Sequence, residues 1–86
     1  RDFAFVAKAD LPAGDLIRAV AQVDKSLISE VSLFDRYQGQ GVADGEVSLG
    51  LEVTLQPRER TLTDAEIEAV STKIIAAAAK LGARLR

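Results

Sequence analysis

The alternation of apolar and polar positions is sharpest between residues 47 and 56. Val47, Leu49, Leu51, Val53 and Leu55 alternate there with Ser48, Gly50, Glu52, Thr54 and Gln56. Successive side chains of a strand point to opposite faces, so this alternation predicts a strand in a sheet with one buried and one open face. The open face is the candidate working surface. The same period opens the chain. Across Arg1 to Ala9, Phe3, Phe5 and Ala7 share one face, while Asp2, Ala4, Val6 and Lys8 share the other. The two phenylalanines are assigned to the core. A further strand is expected at Leu27 to Tyr37, where Val31 and Leu33 alternate with Glu30, Ser32, Phe34 and Arg36. With no bulge, Phe34 and Arg36 lie on the open face; a β-bulge would turn Phe34 inward. The pattern leaves both arrangements open.

Between the strands the apolar period becomes helical. Asp10-Leu11-Pro12 ends the first strand and starts a helix, because proline's missing N–H has no partner in a first turn. Leu16, Ile17, Val20 and Val23 then form a buried stripe. A second helix begins at Thr63-Asp64-Ala65-Glu66, which has the spacing of a capping box, with Leu62 and Ile67 placed for a hydrophobic staple. Its core stripe is Ile67, Val70, Ile74, Ala78 and Leu81, and Gly82 is a natural stop. Ala83 to Arg86 fits a short edge strand with Leu85 inward and the arginines outward. The loop Gln38 to Glu46 carries Gly39, Gly41 and Gly45 but lacks the Gly-Lys-Ser/Thr and following helix of a phosphate cradle. It is a hairpin connection whose glycines supply positive backbone angles. Pro57 and the charged Arg58-Glu59-Arg60 form a turn.

The element order is strand, helix, strand, strand, helix, strand. This predicts an α+β fold, a ferredoxin-like βαββαβ two-layer sandwich. It has a four-stranded antiparallel sheet, the first and third strands central, and two helices on one face.

Eighty-six residues form one domain, residues 1–86, able to build a single core. Cysteine and histidine are both absent, which removes disulfides, thiolate metal sites, cysteine nucleophiles and the commonest general base. No apolar run reaches the roughly 18 residues of a membrane span. The net charge is −2, with both signs scattered and no basic run. A nucleic-acid role would therefore involve weak binding assisted by other parts of an assembly. The abrupt strand-like opening, Arg-Asp-Phe-Ala-Phe-Val, suggests a domain excised from a longer chain.

Several segments together carry a family resemblance: the opening strand, Asp15-Leu16-Ile17-Arg18-Ala19-Val20, Phe34-Asp35-x-Tyr37-x-Gly39-x-Gly41 and Arg60-Thr61-Leu62-Thr63-Asp64. The whole chain, in order, resembles the ferredoxin-fold anticodon-binding domain at the C-terminus of the bacterial phenylalanyl-tRNA synthetase beta chain. The resemblance implies a non-catalytic domain that contacts the anticodon region of a phenylalanine tRNA. Its partners would be the rest of the beta chain and the alpha chain of a cytoplasmic heterotetramer. The alpha chain would join phenylalanine to tRNA using ATP and magnesium; the domain itself would hold no cofactor and touch no membrane. Phe34 and Tyr37 are the implied base-stacking residues, with Arg36 beside them. Asp2, Ser48 and Gln56 are implied to read base edges or the 2′-hydroxyl, and Arg58 and Arg60 to meet phosphates. The chain departs from the family pattern at Glu46-Val47, where lysines are frequent, at Glu52, and at Gly50, a place often held by alanine. Two other readings of the same topology are a structural domain docking onto the synthetase and a small amino-acid-binding regulatory domain. A self-contained enzyme has no support in the residue types present.

Overall fold

The computed structural model describes residues 1–56 and 61–86. Its element order is β1 (Asp2–Lys8), α1 (Ala13–Ala21), β2 (Ile28–Tyr37), β3 (Glu46–Leu55), α2 (Asp64–Lys80) and β4 (Arg84–Leu85). The strands form one antiparallel sheet in the order β2-β3-β1-β4, so the first and third strands are central, as expected. Their register places Phe3 opposite Leu51 and Phe5 opposite Leu49. Cross-strand partners share a face, and this face is the buried one. Phe3, Phe5, Val47, Leu49, Leu51 and Val53 pack with Leu16 and Val20 of α1 and Val70, Ile74 and Ala78 of α2. The Phe3 and Phe5 rings stack with centroids 6.0 Å apart. Both helices thus cover one side of the sheet and leave the other without a helical layer.

The two helices are held by different means. Pro12 occupies the N-cap of α1 without a side-chain cap bond. The capping box of α2 is complete: Glu66 N–H donates to Thr63 Oγ1 at 3.2 Å, and Thr63 N–H donates to Glu66 Oε1 at 3.0 Å. At its other end Gly82 has φ of +85°, the left-handed conformation that glycine adopts without a Cβ penalty. Ala83 N–H then reaches Ala78 O and Gly82 N–H reaches Ala79 O, each at 3.0 Å, the paired bonds of a Schellman stop. Because α2 ends at Lys80, Leu81 lies at the cap and is exposed, outside the core stripe assigned to it; Ala83 is buried instead. Leu85 pairs with Phe5 on the helix side, yet it is 47% exposed because β4 is a two-residue edge with little beyond it.

Candidate nucleic-acid interface

The open face is built from β1 and β3 positions that alternate with the core. Asp2 stands opposite Glu52, Ala4 opposite Gly50, Val6 opposite Ser48, and Lys8 opposite Glu46. On β4, Arg84 stands opposite Val6 and so joins the same face. On β2 the face changes hands. The register to β3 shifts between Leu33 and Asp35, so a bulge sits at Phe34. Before it, Ser32 pairs with Glu52 and Leu33 with Leu51; after it, Asp35 pairs with Gly50, Arg36 with Leu49 and Tyr37 with Ser48.

This bulge decides between the arrangements that the sequence left open. An extra residue in one strand moves every later side chain to the opposite face. Arg36 therefore lies on the side of Leu49, not beside Phe34 on the open face, and Tyr37 takes the open-face place. Phe34 does not turn inward. It is 60% exposed, and its ring approaches Gly50 from the open side. A Cβ on Gly50 would lie 2.9 Å from Phe34 Cζ and 3.2 Å from both Phe34 Cε1 and Asp35 Cβ. Tyr37, 40% exposed, donates its hydroxyl to Gln40 O at 2.9 Å, tying the strand end to the glycine loop. In that loop Gly39, Gly41 and Gly45 have φ of 135°, 90° and 81°, the positive angles expected of them.

Arg86 is the residue that strand-by-strand reading missed as a site candidate. Its backbone N–H bonds to Ala4 O at 2.8 Å, which carries the edge of the sheet one residue beyond β4. Its Nη1 donates to Ser48 Oγ at 3.1 Å, and its Nη2 lies 3.7 Å from where a Cβ on Gly41 would be. The guanidinium therefore bridges from β3 toward the glycine loop, beside Tyr37's cross-strand partner. The alternation that points Leu85 inward and its neighbours outward was the available signal; the contact to Ser48, 38 residues away, was not visible locally. Ser48 itself is only 3% exposed, and its hydroxyl is engaged by Arg86. Asp35, also left out of the candidate set, stands on the open face opposite Gly50.

Charge on this face is polarised. Toward the glycine loop lie Lys8, Arg84 and Arg86, together with the acidic Glu46 and Asp35. Arg84 makes a two-pronged pair with Glu46, Nη1 to Oε2 and Nη2 to Oε1, each 2.9 Å. The hydrogen bond from Arg84 holds the Glu46 carboxyl below the usual carboxylate range against the opposing effect of desolvation, and Glu46 in turn raises Arg84. Arg86, by contrast, has a neutral serine as its side-chain partner among the described residues. At the other end Asp2 and Glu52 stand opposite each other, and Glu30 faces Thr54 one row on.

The predicted residues are thus not brought into one patch. Phe34, Tyr37 and Ser48 lie together, joined by Asp35 and Arg86. Asp2 belongs to the acidic end. Gln56 is exposed eight residues beyond Ser48 on the same chain segment, about 26 Å away at the usual rise per residue. Arg36 is exposed on the opposite face, its Nη1 3.5 Å from Gln38 Oε1. Arg58 and Arg60 lie outside the described residues. Among the described residues no three His, Cys, Asp or Glu side chains are grouped to hold a metal, and no helix is long and apolar enough to cross a membrane.

A βαββαβ sandwich with one helix-free face, bearing exposed aromatics and an arginine bonded to a neutral serine, belongs to a class of small sheet modules suited to single-stranded nucleic acid. The chain belongs to the ferredoxin-fold anticodon binding domain family, whose model matches residues 1–86. It is 54% identical over 86 residues to a phenylalanine–tRNA ligase beta subunit of Zymomonas mobilis and 52% identical over 86 residues to one of Novosphingobium aromaticivorans. Both alignments cover 100% of this chain and 11% of the relative. A beta subunit of Bradyrhizobium diazoefficiens is 52% identical over 80 residues, covering 93% of this chain and 10% of the relative. The chain thus spans about a ninth of the length of these relatives.

Proposed function

We propose that this chain binds the anticodon region of a phenylalanine tRNA as a non-catalytic domain of a phenylalanine–tRNA ligase. The observation that carries the proposal is the juxtaposition, on the open face, of exposed Phe34 and Tyr37 with Arg86, whose guanidinium faces a neutral hydroxyl. Unstacked loop bases are held on aromatic and guanidinium planes, and phosphates are drawn to unneutralised cations. The polarised charge supports one docking direction. RNA phosphates would approach over Lys8 and Arg86, Arg84 being paired with Glu46, and be kept from the end that holds Asp2, Glu30 and Glu52. Asp35 can accept a hydrogen bond from a base edge, and the Ser48 hydroxyl becomes available to one if Arg86 turns to the RNA. Chemistry belongs elsewhere in the enzyme. ATP and magnesium serve amino-acid activation in the alpha chain, and this domain with the rest of the beta chain positions the tRNA.

The test is steady-state charging by the assembled synthetase carrying Phe34→Ala or Tyr37→Ala. Stacking on an aromatic is worth about 1–3 kcal/mol per base, and 1.4 kcal/mol is a factor of about ten. The KM for tRNA rises accordingly, while phenylalanine activation measured without tRNA is unchanged. Wild-type charging kinetics from both folded variants would contradict the proposal and leave a docking role.

A further inference from the structure

Gly50 has no backbone reason to be glycine. The positive-φ glycines among the described residues are Gly39, Gly41, Gly45 and Gly82, and Gly50 lies instead in the extended run of a central strand. Glycine in a strand interior is unfavourable, having more freedom to lose on folding and no side chain to pack. What the position requires is space. The bulge sets two residues, Phe34 and Asp35, against this one, and both crowd the point where its Cβ would stand, the Phe34 ring at 2.9 Å. No real side chain tolerates that separation, so with any other residue at position 50 the ring must lie elsewhere.

We infer that Gly50 is a positioning residue for RNA: its bare backbone seats the Phe34 ring down on the sheet and so sets where a stacked base rests. This inference rests on the proposed tRNA-binding role and adds a determinant to it. Alanine at this position would not unfold the sheet. The closest atoms, Phe34 Cζ and Cε1, are the far end of a 60% exposed side chain that can swing into solvent, and Asp35 Cβ, at 3.2 Å, has to give way by only a few tenths of an ångström. Gly50→Ala should therefore separate stability from recognition: the strand holds, and the ring is lifted from its seat.

The experiment is a double-mutant cycle in the assembled synthetase with Gly50→Ala, Phe34→Ala and the pair, reading the KM for tRNA, phenylalanine activation without tRNA, and the thermal melt. Phe34→Ala raises the KM by roughly fivefold or more, the lower bound for a lost base stack. Gly50→Ala raises it in the same direction and no further than that, with the melting temperature and the activation rate unchanged. Added to Phe34→Ala it has no further effect, because it acts through the ring. Gly50→Ala with wild-type KM beside an impaired Phe34→Ala overturns the inference and leaves the tRNA-binding role standing. Additive effects of the two changes also overturn it. Wild-type KM for Phe34→Ala overturns the inference at its premise, since no base then rests on the ring. Should Gly50→Ala fold poorly, recovery of the melt on adding Phe34→Ala identifies the ring as the obstructing group and supports the seat; no recovery contradicts it.

Discussion

On the helix side of β3, Val47, Leu49, Leu51 and Val53 are at most 1% exposed, covered by α1, α2 and the Phe3–Phe5 stack. On the opposite side of the same strand, Ser48 and Gly50 are also buried, although no helix lies there. Among the groups against them are two exposed side chains: the Arg86 guanidinium bonded to Ser48 and the Phe34 ring over Gly50. The difference is one of permanence. The helix side is closed by interlocked apolar groups that move only on unfolding. The open side is closed by single side chains on an edge strand and at a strand end, which can rotate on the fast timescale of exposed rotamers. A surface of that kind holds its polar groups in order while free and yields them to a ligand. Further along β3 even this cover stops, and Glu52 and Thr54 are exposed.

The comparison is broken most severely by truncating one aromatic from each side. Phe5 is fully buried in the core, and Phe5→Ala is expected to cost about 3–5 kcal/mol of folding stability. Phe34→Ala, on the open face, is expected to stay within about 0.5 kcal/mol of wild type. Urea titrations of the two variants check this, and similar losses would show that Phe34 is a core residue.

A smaller effect sharpens the same contrast. Thr63→Ala removes the N-cap of α2 and is expected to cost about 1 kcal/mol, read as a lowered denaturation midpoint. The cap belongs to the helix layer, so tRNA charging at temperatures where the protein stays folded should be unaltered. An unchanged midpoint would show that the box contributes nothing to stability.

Much of this organisation is legible along the chain because it is local. The alternation of β3, the Thr63–Glu66 box and the stop at Gly82 each depend on residues a few positions apart, and each appears where the pattern puts it. The features that shape the site are not local. The bulge in β2 leaves no mark in the alternation, since Leu33-Phe34 is an apolar pair whichever side each takes. Its consequence, the exchange of Arg36 for Tyr37 on the open face, depends on the register to β3. Arg86 enters the site only because β4 returns beside β1, 38 residues after Ser48. Gly50 reads as a weak strand residue until the ring above it is seen. Asp2 and Gln56, implied by the resemblance along with Ser48, lie apart from it because strand alternation fixes the face of a residue and not its distance along the face.

The most direct measurement of the central claim, that the open face near the glycine loop receives the anticodon loop, is a nuclear magnetic resonance titration. The isotope-labelled chain would be titrated with an RNA hairpin bearing the phenylalanine anticodon. A net charge of −2 limits counterion release, so the expected binding is weak and in fast exchange, which suits the method. The account predicts that shifts cluster at Phe34, Asp35, Tyr37, Ser48 and Arg86, with Asp2, Glu30 and the outer surfaces of α1 and α2 unmoved. Shifts centred on the helices, or none even at RNA concentrations far above those that saturate the assembled synthetase, would contradict it.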